Sequence, residues 1–394
     1  CDSLCWFCGC HMSVVNAYGP VAAYVDLLLR EIEIVANALG DKRSVSHLHF
    51  GGGSPTILSP GDVARVMHGL RSCFVVLPQA EIAVEIDPRG LSPASIDAWA
   101  KAGVTRASIG VQDVSPQVQL AVNRRQPVTV TSNVVARLRA AGIKALNLDL
   151  MYGLPFQTVE NVRRTVEEAT ALEPERLAVF GYAHVPDMKR HQKLIDAAAL
   201  PNIAERLHQY NAAREGITAK GYQQIGLDHF SWPEDPLAQA LRRGTLARNF
   251  QGYTIDNAET LIGLGASAIS AHAQGYAQNV TDVPTYRAKL MSGNLATMRG
   301  RALTQDDRMR RAVIERLMCD LAVDLDDLAS RHDRPDDVFA AELSALQPLA
   351  DQGMVRIYGR RVSVPEHARV AVRLVASTFD AYLPQSRARH AMAV

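Results

Sequence analysis

Segments with strand-like and helix-like patterns alternate along the first half of the chain, and this alternation restricts the possible folds more than any other feature. Residues 20–39 carry apolar side chains at three- and four-residue steps, which predicts an amphipathic helix. The predicted strands that follow are 44–50, 81–87, 105–112, 145–153 and 176–182, and the helical patterns between them are about 60–72, 92–102, 128–141 and 159–172. Such βαβ units predict an α/β fold with a parallel sheet, which right-handed crossovers close into a barrel or part of one.

The rest of the sequence predicts a different organisation. A long helix at 202–219 precedes the segment 226–280, which is rich in Gly, Asn and Gln, as a loop-heavy lid would be. From about residue 303 the pattern is helical, with a small β-hairpin at 354–364. We therefore expect three regions: a partial (β/α) barrel over 1–200, its completion with a substrate-cavity or lid segment over 201–300, and a mainly helical C-terminal domain over 301–394.

Length and charge exclude several classes of protein. The 394 residues carry 42 basic and 41 acidic side chains, and this balance excludes a nucleic-acid binder that depends on bulk charge. No apolar run reaches the roughly 18 residues that a membrane-spanning helix needs. We therefore expect a soluble, cytoplasmic protein. The chain begins at Cys1 rather than at a methionine, so a targeting segment upstream of it would not be visible in this sequence.

Four of the six cysteines lie within the first ten residues, CDSLCWFCGC. A disulfide framework is not expected in a chain of this size, and clustered thiolates are typical ligands of soft metals. One alternative is a zinc site with four thiolates, although zinc sites usually pair two short knuckles separated by a longer span. The C-x3-C-x2-C loop can instead place three sulfurs on three corners of an iron–sulfur cube. The spacing therefore favours an iron–sulfur cluster.

Polar and glycine residues stand at the ends of successive predicted strands. These residues are Gly51, Gly52, Gly53 and Ser54 after the first strand, Glu85 near the end of the second, Gln112 at the end of the third, Asp149 within the fourth, and Tyr182 and Ala183 after the fifth. In a βα barrel the carboxyl ends of the strands form the active site. An isolated buried acid is costly, so acids and amides in successive strands predict a shared polar cavity. A phosphate loop is excluded because no G-K-[ST] sequence follows the glycines.

The C-x3-C-x-aromatic-C pattern resembles the radical S-adenosylmethionine (SAM) superfamily. In that superfamily three cysteines hold a [4Fe–4S] cluster, and the amino and carboxylate groups of SAM occupy the open iron. The resemblance implies that Cys1, Cys5 and Cys8 are the ligands and that Phe7 packs beside the cluster. Cys10 is a fourth cysteine, whose alternative interpretation is a small apolar filler.

Longer strings resemble one branch of this superfamily, the coproporphyrinogen oxidases, and within it the bacterial oxygen-independent enzymes. The strings are HFGGGSPT at 49–56, EIDPRG at 85–90, GVQD at 110–113, VNRRQ at 122–126, LNLDLMYGLPFQT at 146–158, GYAHVP at 181–186, GLDHF at 226–230, RNFQGYT at 248–254 and YAQN at 276–279. The similarity runs from Cys1 to FDAYL at 379–383. The RNFQGYT string and Cys10 make the resemblance specific to this oxygen-independent branch rather than to the superfamily as a whole.

The resemblance implies two SAM molecules bound side by side. Residues matching contacts to the first are Gly52, Glu85, Ala183 and Ile269, with the glutamate reaching the ribose hydroxyls. Residues matching contacts to the second are Phe7, Gly53, Ser54, Gln112, Arg124 and Asp149. Cys10 and Gln251 are the implied catalytic residues. Without the resemblance, Arg124 would be interpreted as a surface arginine.

The reaction implied is an oxidative decarboxylation in haem biosynthesis. A 5′-deoxyadenosyl radical derived from SAM would convert two propionates of coproporphyrinogen III to vinyl groups, giving protoporphyrinogen IX. The implied partners are this tetrapyrrole and an electron donor such as a flavodoxin or ferredoxin, and the implied oligomeric state is a monomer. Two alternatives are a haem-transfer relative of the same branch, which typically lacks the fourth cysteine and RNFQGYT, and a radical SAM enzyme acting on another substrate.

Departures from the pattern are few. The family has a strand and a His-x-Pro-Phe segment immediately before the first cysteine, and we expect these to be missing from the chain as given. Trp6 and Ser54 stand where Tyr and Thr are more usual, which keeps an aromatic ring and a hydroxyl group.

Overall fold

The computed structural model describes residues 1–335 and 337–383. In chain order, the strands are β1 (Ser44–Phe50), β2 (Val75–Ile86), β3 (Arg106–Gln112), β4 (Ala145–Tyr152), β5 (Arg176–Gly181), β6 (Gln223–Ile225), β7 (His229–Ser231), β8 (Ala247–Asn249), β9 (Gly252–Thr254), β10 (Ile269–His272), β11 (Gly275–Asn279), β12 (Thr297–Ala302), β13 (Ala322–Asp324), β14 (Arg356–Tyr358) and β15 (Arg361–Ser363).

The helices have the following bounds, again in chain order: α1 (Gly19–Leu39), α2 (Pro60–Cys73), α3 (Pro93–Ala102), α4 (Pro116–Ala121), α5 (Val128–Ala140), α6 (Val159–Thr170), α7 (Ile203–Ala219), α8 (Pro236–Arg243), α9 (Val283–Met291), α10 (Gln305–Asp320), α11 (Leu325–Arg331), α12 (Ala340–Asp351) and α13 (Val372–Ser377). Side-chain caps set several of the starts: Ser59 accepts from Asp62 N, and Ser92 accepts from Ser95 N. Among the described helices, none has the length and apolar character needed to cross a membrane.

Strands β1 to β5 lie side by side in chain order, and each neighbouring pair is parallel. Ile109 of β3 is opposite Leu148 of β4, which is opposite Leu177 of β5. All three side chains are fully buried, as expected of a parallel sheet covered on both faces. The prediction of an α/β fold built on a parallel sheet is therefore confirmed.

The predicted start of one strand was wrong. Strand β2 begins at Val75 instead of 81, because Val75 and Val76 pair with Ser44 and Val45 before an irregularity that shifts the register to His47 opposite Glu81. Pro78 within this stretch lacks an N–H donor and so obscures the strand pattern. The segment 226–280 contains α8 and short strands between its loops. Strands of three residues are too short to show a period of two.

The chain separates into two compact units. Unit 1 comprises Cys1–Lys220 and Ala258–Arg301, and unit 2 comprises Gly221–Asn257 and Ala302–Val394. These bounds differ from the three expected regions, because the middle region 201–300 is divided between the two units. The functional assignment of that region as barrel completion and lid remains a prediction.

Unit 2 is organised around helix α10. Its core contains Val313 and Leu317 of α10 together with Phe379, all fully buried. Strands β14 and β15 form the predicted hairpin, with Gly359 at a φ of 59° in its turn. The Tyr253 hydroxyl accepts from Leu227 N and donates to the Met318 carbonyl, so this residue of the RNFQGYT string has a structural role inside unit 2.

A buried acid on α1 ties the second segment of unit 1 to the first. Glu31 is 1% exposed and accepts hydrogen bonds from Gly265 N, Asn279 Nδ2 and Tyr286 Oη at 2.6–2.7 Å. Burial raises the pKa of Glu31, and these three donors oppose that rise. Together with Tyr24 Oη, which accepts from Ala266 N at 2.8 Å, Glu31 therefore holds the segment that leads into β10 against α1.

Replacing Glu31 with leucine leaves the Gly265 N–H and the Tyr286 hydroxyl buried without their acceptor, and Asn279 Nδ2 keeps only its hydrogen bond to the Gly265 carbonyl. A buried donor that loses its partner costs about 1–3 kcal/mol, so we expect E31L to lower the free energy of unfolding by about 3 kcal/mol or more. Denaturant titration measures this change. The matched control is E33L on the exposed face of the same helix, for which we expect a change within about 0.5 kcal/mol. Equal effects of the two substitutions would contradict the role given to Glu31.

Candidate functional site

The glycine triplet after β1 folds against Glu85 of β2. The Gly52 N–H donates to Glu85 Oε2 at 3.1 Å, and Glu85 Oε1 lies 3.1 Å from His49 Nε2. A Cβ atom on Gly51 would stand 2.6 Å from Glu85 Oε1 and 2.8 Å from His49 Nε2, so any other residue at position 51 would have to displace these two side chains. Gly52 itself has a φ of +95°, which L side chains rarely adopt. The Glu85 side chain remains 40% exposed and available to a ligand.

Asp149 of β4 belongs to a small polar cluster on one face of the sheet. Its Oδ2 accepts from Ser108 Oγ at 2.9 Å, and its Oδ1 accepts from Asn147 Nδ2 at 2.7 Å. Ser108 and Asn147 were not predicted as site residues. Strand periodicity could have identified Asn147, because residues 147 and 149 point to the same face of β4.

Arg124 is buried, not on the surface. Its Nη2 donates to the Gly110 carbonyl at 2.7 Å, and its Nη1 donates to Asp87 Oδ2 at 3.1 Å and lies 3.4 Å from Cys5 Sγ. Its Nε is buried with no hydrogen-bond partner in the described structure. The interpretation as a surface arginine, which composition alone favours, is therefore wrong, because this guanidinium finds several acceptors inside the protein.

The cysteine loop approaches the strand ends through both backbone and side chains. Cys5 is buried, Cys1 and Cys8 are half-buried, and Cys10 is exposed, all as free thiols. A Cβ atom on Gly53 would lie 3.8 Å from Cys1 Sγ, so the glycine triplet faces the first cysteine. Cys10 N–H donates to Cys8 Sγ at 3.4 Å. Hydrogen bonding from Cys10 holds the pKa of the Cys8 thiol below its ordinary value, against the opposing effect of burial.

Side chains from distant segments hold the carbonyls of this loop. Asn123 Nδ2 donates to Leu4 O at 2.8 Å, and His191 Nε2 lies 2.7 Å from Cys8 O. Gln192, 1% exposed, donates to the carbonyls of Phe7 and Ala183 at 3.1 Å each. Sequence analysis predicted none of these three anchoring residues. Gln192 thus connects Phe7 with Ala183, two residues predicted to contact SAM.

The remaining predicted residues lie as follows. Gln112 ends β3 at a φ of 68°, Ser54 follows the glycine triplet, and Ile269 begins β10 in unit 1. The Ile269 backbone packs closely against Gly263, where a Cβ atom would lie 2.6 Å from Ile269 O. Gln251 belongs to unit 2 and is exposed between β8 and β9, with its N–H donating to Asn249 Oδ1.

The free thiols of the cysteine loop fit one kind of metal site better than another. Within residues 1–335 and 337–383, no three His, Cys, Asp or Glu side chains are grouped closely enough to hold one metal ion. Three thiols of one loop, one of them buried beside cationic donors, match the thiolate ligands of an iron–sulfur cluster. The donor set therefore fits a cluster.

Comparison with known proteins identifies the family. Residues 1–169 match the profile of the radical SAM superfamily, and residues 303–370 match the HemN C-terminal domain. The oxygen-independent coproporphyrinogen III oxidase of Bradyrhizobium diazoefficiens is 46% identical over 100% of this chain and 88% of the relative. The chain belongs to the oxygen-independent coproporphyrinogen III oxidase family. This membership confirms the family predicted from the cysteine loop and the longer strings.

A second relative and a solved structure support the same family membership. The enzyme of the same name from Paracoccus denitrificans is 41% identical over 97% of this chain and 84% of the relative. The solved structure of coproporphyrinogen III oxidase (HemN) from Escherichia coli, described as a radical SAM enzyme, superposes with a TM-score of 0.93 at 39% identity. It covers 97% of this chain and 88% of that one. The cofactors of the family are a [4Fe–4S] cluster and SAM, so the zinc interpretation of the cysteine loop was wrong.

The close packing at Gly51 gives a direct test of the glycine triplet. We expect G51A to displace the Glu85 carboxylate and to weaken SAM binding about tenfold, which corresponds to about 1.4 kcal/mol. Calorimetric SAM titration of cluster-loaded protein measures the change. G61A is the control, because a Cβ atom there meets nothing closer than Ser59 Oγ at 3.9 Å. Unchanged SAM affinity in G51A would contradict this assignment of the triplet.

Proposed function

We propose that this chain catalyses the oxygen-independent oxidative decarboxylation of coproporphyrinogen III to protoporphyrinogen IX. In this reaction two propionate side chains each lose a hydrogen atom from the β-carbon, carbon dioxide and one further electron, and become vinyl groups. The observation that carries the proposal is the 46% identity, over the whole chain, to an enzyme with this name. The cysteine loop and the polar strand ends supply the local chemistry that such an enzyme needs.

In this proposal Cys1, Cys5 and Cys8 hold the [4Fe–4S] cluster. When bound, the cluster and SAM supply one-electron cleavage of SAM and thereby hydrogen abstraction from the substrate. The residues of the chain position the cofactors and exclude water. Burial of Cys5 and the backbone contacts around the loop support this role, since ligand geometry must be held by surrounding hydrogen bonds.

For the first SAM molecule we propose Gly52, Glu85, Ala183 and Ile269. The exposed Glu85 carboxylate, oriented by Gly52 N and His49, is a suitable acceptor for ribose hydroxyls. The Ala183 carbonyl is held by Gln192, which leaves the neighbouring backbone in a fixed position. These contacts would present SAM to the cysteine loop in one orientation.

For a second SAM molecule we propose Phe7, Gly53, Ser54, Gln112, Arg124 and Asp149. The terminal nitrogens of Arg124 contact Gly110 and Asp87, which fixes the plane of its guanidinium group, and its positive charge would attract the carboxylate of SAM. The Asp149 carboxylate is oriented by Ser108 and Asn147. Equilibrium dialysis with labelled SAM would count the molecules bound for each cluster, and one molecule would contradict this part of the proposal.

Cys10 and Gln251 are the proposed catalytic residues. Cys10 is exposed at the edge of the loop, with its carbonyl held by Lys189 Nζ at 3.1 Å. A thiol in this position could hold or move a proton at its Sγ atom during conversion of the substrate. Gln251 presents a neutral amide in an exposed turn of the RNFQGYT string, and the turnover of Gln251→Leu tests whether the reaction depends on that amide.

We expect C10S to keep the cluster, because its three ligands remain, and to lower turnover about 10²-fold through loss of a proton-transferring thiol. Iron and acid-labile sulfide content are measured beside the rate of product formation. C73S, at a half-buried cysteine at the end of α2, is the control and should keep both. If C10S loses the cluster as completely as C8S does, Cys10 is a ligand and its catalytic assignment fails.

The physiological partner that we propose is a one-electron carrier protein such as a flavodoxin or ferredoxin. Lys189 and His191 contact the carbonyls of Cys10 and Cys8. The exposed cations Arg190 and Lys193 lie in the same short segment and support this partner. An acidic carrier would be attracted to such a surface next to the cysteine loop. We further propose that the protein acts as a monomer in the cytoplasm.

The proposed reaction is tested by anaerobic reconstitution with iron and sulfide, followed by dithionite, SAM and coproporphyrinogen III. Mass spectrometry follows porphyrin products and 5′-deoxyadenosine together. We expect protoporphyrinogen IX with about two equivalents of 5′-deoxyadenosine, one for each propionate. Deoxyadenosine without a decarboxylated porphyrin would move the substrate elsewhere. Neither product from cluster-loaded protein would overturn the oxidase assignment in favour of a haem-transfer role.

A further inference from the structure

Two arginine side chains converge on the sulfur of the buried cysteine. Arg89 Nη2 lies 3.1 Å from Cys5 Sγ, and Arg124 Nη1 lies 3.4 Å from the same atom. Both side chains are largely buried, with exposures of 19% and 8%. Sequence analysis assigned no role to Arg89, and Arg124 was predicted only as a SAM contact. The shorter approach to the sulfur is therefore made by a residue outside the predicted site.

Asp87 holds both guanidinium groups in place. Arg89 Nη2 donates to Asp87 Oδ2 at 2.6 Å and its Nε donates to Oδ1 at 3.0 Å, while Arg124 Nη1 donates to Oδ2 at 3.1 Å. Burial opposes ionisation of Asp87, but the hydrogen bonds from Arg89 and the charges of both arginines hold its pKa below the ordinary value. Two cations facing one carboxylate leave a net positive charge next to Cys5.

The EIDPRG string explains why the Arg89 guanidinium is oriented toward Cys5. Asp87 follows the last residue of β2, and Arg89 N–H donates to Asp87 Oδ1 at 3.1 Å, which closes a tight turn through Pro88. Gly90, which follows Arg89 in this turn, has a φ of 73°, a conformation that favours glycine. Because backbone and side chain of Arg89 bind the same carboxylate, the guanidinium has little freedom to turn away from Cys5.

We propose that Arg89, positioned by Asp87, raises the reduction potential of the iron–sulfur cluster by donating a hydrogen bond to the ligand sulfur of Cys5. This inference rests on the proposed ligand set of Cys1, Cys5 and Cys8. Reduction adds one electron, taken from the donor, and no proton, so the reduced cluster carries one more negative charge. A nearby cation and hydrogen bonds to the sulfurs stabilise that state. Arg89 thus makes the cluster easier for a donor to reduce.

The test is the midpoint potential of the reconstituted cluster, measured without SAM by redox titration monitored by electron paramagnetic resonance. We expect R89Q to lower the ratio of reduced to oxidised cluster at a fixed ambient potential about tenfold, which is a shift of about 59 mV for a one-electron couple. R89K keeps the charge without the planar fork and should recover part of the shift. R106Q is the control, because Arg106 forms a comparably buried pair with Glu81 at 3.0 Å, away from the cysteine loop.

A second variant separates electrostatic tuning from loss of structure. D87N can keep the side-chain oxygen that accepts from Arg89 N and Nε, but it removes the negative charge that the two arginines share. It should therefore raise the potential, opposite in sign to R89Q. If Arg89 and Asp87 only stabilised the local structure, both variants would shift the midpoint potential in the same direction. An unshifted potential in R89Q, or equal shifts in R89Q and R106Q, would overturn the inference. If R89Q does not hold the cluster, the midpoint potentials of R89K and D87N provide the test instead. Shifts of the same sign in these two variants would overturn the inference about Arg89.

The outcomes distinguish this inference from the proposed function. Iron and sulfide content shows whether wild-type protein and each variant hold the cluster. A wild-type protein that assembles no cluster would overturn the proposed ligand set. A wild-type protein with an intact cluster, and variants whose potentials do not move, would overturn only the role of Arg89.

Discussion

Burial of the Arg124 guanidinium connects three parts of unit 1 that are distant in sequence. It reaches the Gly110 carbonyl in β3, Asp87 after β2 and the sulfur of Cys5 in the cysteine loop. A buried charge is tolerated only where several partners compensate its loss of hydration. The Arg124 guanidinium therefore requires that the sheet edge, the turn after β2 and the cysteine loop lie next to one another. The remaining geometry of the site depends on this contact.

A buried network of amides supports the same edge of the sheet. Gln119 Nε2 donates to the backbone carbonyls of Asp113 and Gln126, and the backbone carbonyl of Gln119 accepts from Arg124 N. Gln157 Nε2 donates to Asp113 Oδ2 and to Met151 O, which joins the end of β3 to the end of β4. Burial raises the pKa of Asp113 to about 6 despite the hydrogen bond from Gln157. Since every member of such a network needs its partners, the strand ends are held as one rigid polar surface.

The cysteines of the loop differ in environment, and this difference suits different tasks. Cys5 is buried beside two cations, which is the setting of a ligand whose charge is tuned by its surroundings. Cys10 is exposed, and its backbone N–H and carbonyl form hydrogen bonds with Cys8 Sγ and Lys189 Nζ. The family comparison and the local chemistry thus lead to the same cofactor from independent observations, one from whole-chain similarity and one from hydrogen bonds around single atoms.

Sequence by itself determined the parallel α/β architecture, the cysteine spacing, the glycine triplet and the polar strand ends, because each is a local pattern of a few residues or a short period. It did not predict Arg89, Asp87, Gln192 or His191 around the cysteine loop. The contacts of Arg89 with Cys5 and of His191 with Cys8 join residues 84 and 183 positions apart. The same limit applies to the division of 201–300 between two units. Tertiary structure decided these features, because a side chain acquires its partners only when strands and loops from distant segments pack together.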